Sequence, residues 1–140
     1  MYNKESYKHK FAKQLLIEWL RLGKIFTCYI KDEKFKIDLR NKRVFEEFPF
    51  EEGCSNRLFE NIPTFEKPFC VFDILVCENG RPVYGFEIVH KHKSNEYKIQ
   101  KLVEEKKNHN KNFSVYEISA EWILRLVKPP RSLKLSKILC

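Results

Sequence analysis

Two acids stand where acids are costly: Asp73 within Val71-Phe72-Asp73-Ile74-Leu75 and Glu87 within Gly85-Phe86-Glu87-Ile88-Val89. Burying one ionised carboxylate without a partner costs several kcal/mol or forces it neutral. Two such acids need a common explanation, and a shared divalent cation is one; two acids on solvated strand ends is the plain alternative. The turn between them decides whether they can meet. A two-residue Asn79-Gly80 loop pairs Asp73 with Phe86 and sends the carboxylates to opposite sheet faces. A three-residue loop, Glu78-Asn79-Gly80 with Gly80 left-handed, pairs Cys77 with Arg81. It then sets Asp73 opposite Gly85, on the face of Glu87. We expect the second register, with Gly85 leaving room for an ion or a phosphate.

Other chemistries find less support. His90 and His92 are spaced for zinc, but His109 and five scattered Cys supply no second pair at ligand spacing. Strand alternation also turns both His away from the Glu87 face, unless the strand has already ended at Val89. No G-x-S-x-G is present, and four well separated Gly exclude a phosphate-cradling loop. Lys91, Lys93, Lys98, Lys101, Lys106, Lys107 and Lys111 crowd one hairpin end and one helix, while Lys128, Arg131, Lys134 and Lys137 lie towards the C-terminus. Such a set can follow a phosphate backbone, with steep salt dependence and little sequence information. Glu104 and Glu105 interrupt it. The whole chain carries 27 Lys and Arg against 19 Asp and Glu, a net charge of +8 that favours polyanionic partners.

The elements that must position these residues follow from periodicity. Ser6 to Leu22 is helical, with Phe11, Leu15, Glu18 and Leu22 on one side, and Gly23 stops it. Ile25 to Phe50 breaks into short aromatic and β-branched runs, expected as an antiparallel meander. Glu51 to Pro68 is an irregular connection with a helical turn near Arg57 to Asn61. Phe69 to Cys77 and Val83 to Val89 form a hairpin at the centre of the sheet. Asn95 to Asn108 is an amphipathic helix, Phe113 to Ile118 a strand, and Ser119 caps a last helix over Ala120 to Val127. Pro129-Pro130 ends regular structure. The expectation is one domain over residues 1–128 and a basic C-terminal tail over 129–140. With 140 residues, 43% of them hydrophobic, and twelve Phe, the chain can fill a core. Trp19 and Trp122 belong to that core. The unpaired Cys suggest reduced thiols, and the polar start and short apolar runs suggest neither secretion nor membrane insertion. An intracellular setting, cytoplasm or nucleus, is therefore expected.

These residues resemble the PD-(D/E)XK nuclease superfamily over roughly Ser6 to Leu126. More narrowly, Glu5-Ser6-x-x-His9-x-x-Ala12-Lys13, Phe72-Asp73, Gly85-Phe86-Glu87-Ile88, His92 and Tyr116-Glu117-Ile118 are similar to the competence-protein (CoiA-like) nuclease-fold group. The resemblance implies an α/β fold with a restriction-endonuclease-like αβββαβ core, a mixed central sheet flanked by helices. It implies that Asp73 and Glu87 hold Mg²⁺ or Mn²⁺, with Glu18 as a candidate third ligand, to cleave phosphodiester bonds of nucleic acid, DNA ahead of RNA. The family's lysine falls at residue 89, which is Val. Strand parity makes Lys91 the nearest substitute, about 6.6 Å farther along, and Lys98 or Lys101 can reach in from the following helix. Lys91, Lys93, Lys98 and Lys101 are the expected nucleic-acid contacts. Glu5, His9 and Lys13 form one helical stripe that faces either the same pocket or solvent. The alternatives are a catalytically inactive nuclease-fold nucleic-acid-binding protein and a protein-interaction module. Partners are nucleic acid, no membrane, and a homo-oligomer or protein partner is compatible with the sequence.

Overall fold

The structure, a computed structural model, describes residues 6–90, 96–126 and 128–139. Helix α1 (Tyr7–Leu20) starts at Ser6, whose hydroxyl accepts the His9 N–H at 3.0 Å, and the chain turns away at Gly23, where φ is +66°. Strands β1 (Ile25–Ile30) and β2 (Glu33–Asp38) form an antiparallel hairpin. The expected meander ends there: β3 (Arg43–Phe50) leaves for another sheet. After a short 3₁₀ turn at Cys54–Asn56, earlier than the expected turn near Arg57 to Asn61, come β4 (Cys70–Glu78) and β5 (Arg81–Val89). Helix α2 (Glu96–Asn108), β6 (Ser114–Ser119) and α3 (Ala120–Leu124) follow, with Ser119 capping α3 as expected. The last strands are β7 (Ser132–Lys134) and β8 (Ser136–Leu139).

The chain is thus mixed α/β, with two mixed sheets and three helices among the described residues. One sheet has the order β3-β4-β5-β6-β8 and the other β2-β1-β7. Strands β5 and β6 run parallel, which requires a crossover, and α2 supplies it. Residues 129–140, expected as a tail, instead place one strand in each sheet. Leu133 is fully buried and Leu135 nearly so, because β7 pairs with β1 and β8 with β6. Two apolar cores flank the large sheet. Leu16, Leu20 and Ile123 of α1 and α3 pack with Phe26, Leu133, Ile74, Phe86 and Ile88 on one side. On the other, Leu102 of α2 packs with Phe48, Phe50, Phe72, Phe113 and Val115.

The central hairpin corrects both registers considered from sequence. Its turn is the two-residue loop: Asn79 and Gly80 have φ of 50° and 85°, and Glu78 pairs with Arg81. That alone would put Asp73 and Glu87 on opposite faces. However, Cys77 pairs with Pro82 and Val76 with Tyr84, so Val83 is an extra residue on β5. This bulge reverses the parity of everything beyond it. The ladder then runs to Ile74 opposite Phe86, and the next step of that register brings Asp73 across from Glu87. Gly85 faces Leu75 rather than Asp73. Its missing side chain makes room for the Phe72 ring, which a Cβ would meet at 2.9 Å, rather than for an ion.

Candidate active site

Asp73 and Glu87 sit where regular strand pairing gives way. On β4, Phe72 belongs to the α2-side core and Ile74 to the opposite one, so in-out alternation breaks at Asp73. Strand β3 breaks at the same level: Glu46 pairs with Ile74 and Phe48 with Phe72, and Glu47 between them is left-handed at φ 54°. With its alternation broken, the Asp73 side chain reaches across to β5. Its Oδ2 accepts the Ile88 N–H at 2.8 Å, and the Asp73 N–H points to Glu87 Oε2 at 3.4 Å. Side chains thus continue the β4–β5 connection past the last ladder pair.

Each carboxylate is met by a side chain from a different helix. From α1, His9 Nε2 lies 3.2 Å from Asp73 Oδ2. From α2, the Lys98 amine donates to Glu87 Oε1 and stands 5.9 Å from the centre of the Phe72 ring. One turn beyond His9, Lys13 is only 2% exposed and pairs with Glu47, with Glu46 at 3.8 Å. Glu87 is 7% exposed. Burial pushes its carboxyl up to about 8; the Lys98 charge opposes this, and the adjacent Asp73 adds to it. The pair therefore carries less negative charge near neutrality than two ordinary acids, and a cation placed between them would restore it.

The acidic level continues beyond this pair. Glu87 is in register with Glu117 on β6, and Val115 packs on the α2 side while Ile118 packs on the other. Glu117 therefore shares the α2 face with Glu87. Its sequence signal, an acid inside Ser114-Val115-Tyr116-Glu117-Ile118, is the same one that marks Asp73 and Glu87.

Other expected residues lie elsewhere. Glu18 is exposed and lines a groove with Leu15, Trp19, Leu22, Leu126 and Lys128. Nine residues beyond His9 on one helix, it is ~13 Å away along the axis. The α1 residue that reaches the acids is His9, so the Glu5, His9, Lys13 stripe faces inward at its two described members. Lys101 lies 5.8 Å from the Tyr97 ring, in a groove shared with Glu51, Glu52, Glu104 and His109. Lys91 and Lys93, with Glu5 and His92, lie outside the described residues. His90 stands 3.9 Å from Glu121 of α3. Among the described residues, no three Asp, Glu, His or Cys side chains gather so as to hold a metal. Magnesium needs only one or two carboxylates, with water and phosphate oxygens completing its shell, and the hard oxygen donors of Asp73 and Glu87 meet that requirement. Compared with known protein families, characterised proteins and solved structures, the chain matches none.

Proposed function

We propose that this protein is a metal-dependent nuclease of the PD-(D/E)XK type. The observation that carries the reading is the placement of Asp73 and Glu87 side by side on β4 and β5, with the Lys98 amine on Glu87. The order of elements supports it. Helix α1, the antiparallel strands β3, β4 and β5, the crossover α2 and the parallel β6 follow an αβββαβ plan, with the β1–β2 hairpin inserted after α1.

Asp73 and Glu87 would hold Mg²⁺ or Mn²⁺, which when bound polarises a phosphate and lowers the pKa of an attacking water. The Ile88 N–H and His9 fix the Asp73 carboxylate from two sides, so its orientation is set before substrate arrives. Lys98 takes the part that the resemblance assigned to residue 89. Its charge, anchored on Glu87, can offset negative charge building on a phosphate. Val89 is therefore compatible with activity, because the cation comes from α2.

Calorimetric titration of Mn²⁺ into the wild type and Asp73→Ala, with cleavage of plasmid and single-stranded substrates followed on the same samples, tests this. Metal binding and cutting should both vanish with Asp73→Ala, and Lys98→Met should cut about 10²-fold more slowly while still binding metal. No metal binding and no cutting by the wild type would refute it. A second reading, nucleic-acid binding without cleavage, draws on the Lys98–Glu87 ion pair, which neutralises the site without any metal. Metal-independent binding with no cutting would select it.

A further inference from the structure

The small sheet presents a face that neither core uses. Phe26, Cys28, Ile37 and Leu133 point into the α1-side core, so the alternate residues of β1, β2 and β7 point outward. Register aligns those residues in two rows. Lys34 pairs with Tyr29 and Tyr29 with Lys134; beside them, Lys36 pairs with Thr27 and Thr27 with Ser132. Lys34, Lys36 and Lys134 are exposed, Tyr29 is half-exposed, and none of the three lysines has a carboxylate partner among the described residues. Asp38, the acid among these outward positions, is held by the Arg40 guanidinium at 2.9 Å. An aromatic ring thus stands between two unpaired cations about 10 Å apart across the strands.

We propose that this face binds single-stranded nucleic acid, with a base stacked on Tyr29 and phosphates on Lys34, Lys134 and Lys36. Aromatic rings flanked by cations match a polymer that alternates π-faces with phosphates, and only an unpaired strand offers free base faces. The surface is joined to the candidate active site through the backbone, on the opposite side of the large sheet from the α2 face that Glu87 shares. Lys134 is two residues from Ser136, which pairs with Glu117, which in turn pairs with Glu87. The backbones of Lys134 and Glu87 are therefore within about 17 Å, two residues plus two strand spacings. The inference rests on the nuclease reading for that link, naming its substrate as single-stranded, but not for binding itself.

The test measures anisotropy of labelled oligo(dT) with the full chain in chelator, so that cleavage cannot intervene, over salt from about 50 to 300 mM. Lys34→Gln/Lys134→Gln should lower the slope of log K against log salt by about 1.4, two phosphates at ~0.7 each. Lys34→Arg/Lys134→Arg should restore it, which separates charge from fold. Tyr29→Leu should weaken oligo(dT) binding about 5- to 150-fold and leave heparin binding unchanged, because heparin has no bases. An unchanged slope in the double Gln variant would overturn the proposal, as would failure of the wild type to bind at low salt. Equal binding of heparin and oligo(dT) with no effect of Tyr29→Leu would reduce the face to an unspecific anion patch, also overturning it. The two readings fail separately. Cutting by the wild type with an unchanged slope removes only this surface, whereas the expected slopes without any metal-dependent cutting remove only the nuclease.

Discussion

Replacing Glu87 by Gln tests the electrostatics on which the site depends. Burial raises the folded carboxyl from 4.5 to about 8. Below pH 4.5 the acid is protonated in both the folded and unfolded chains, and the contribution of the retained proton is complete. As pH rises, the unfolded chain releases that proton first and gains relative stability, so the contribution is lost on the way to pH 8. At 1.36 kcal/mol per unit, the shift sets a ceiling of about 5 kcal/mol. Glutamine keeps the neutral shape and does not titrate. Urea unfolding of both proteins in chelator should therefore show the wild type losing at least ~2 kcal/mol relative to Glu87→Gln between about pH 5 and pH 8.5. Lys98→Met should extend the loss to higher pH, because the Lys98 charge holds the Glu87 carboxyl down. Added Mn²⁺ should flatten the slope if the two acids hold it. A wild-type-minus-variant difference that stays level with pH would refute the reasoning, since Glu87 would then be ionised throughout and the site would need no further positive charge.

Other outcomes follow from the same geometry. Gly85→Ala drives a Cβ to within 2.9 Å of a Phe72 ring already packed against Phe50 and Phe113, and should cost about 1–3 kcal/mol by thermal or urea unfolding; an unchanged midpoint would mean that the ring has room to move. Burial pushes the Cys28, Cys70 and Cys77 thiols up to about 12 and raises that of Cys54. Site-resolved mass spectrometry after brief iodoacetamide treatment at neutral pH should find these four unlabelled until the protein is unfolded, and rapid native labelling of any one would contradict its placement. Removal of residues 129–140 takes Leu133 and Leu135 from the core and one strand from each sheet. The shortened chain should lose cooperative unfolding, and a truncated protein with a wild-type transition would show that these strands are dispensable.

Much of the local architecture was legible in the chain because its signals are local. The 3.6-residue period with Ser6 before it and Gly23 after it marks α1, the charged but periodic run to Asn108 marks α2, and Ser119 marks the start of α3. The hairpin carrying Asp73 and Glu87 is visible in two apolar runs around Asn79-Gly80. Legibility ended where distant segments choose between pairings of similar local quality. The split of the first three strands between two sheets, and the docking of residues 132–139 on β1 and β6, depend on partners about a hundred and about twenty residues away.

The candidate site shows the same division. Sequence alone determined that Asp73 and Glu87 are acids in apolar strands and that residue 89 is not a lysine, since these are facts of residue type and short-range pattern. Only the tertiary structure decided that they face each other, because a single unpaired residue, Val83, reverses the parity of a strand and leaves no mark on its composition. Only packing decided that His9 rather than Glu18 reaches Asp73, and that Lys98 comes to Glu87 from α2. A long flexible side chain on a helix can reach in several directions, and the direction it takes is set by where that helix lies on the sheet.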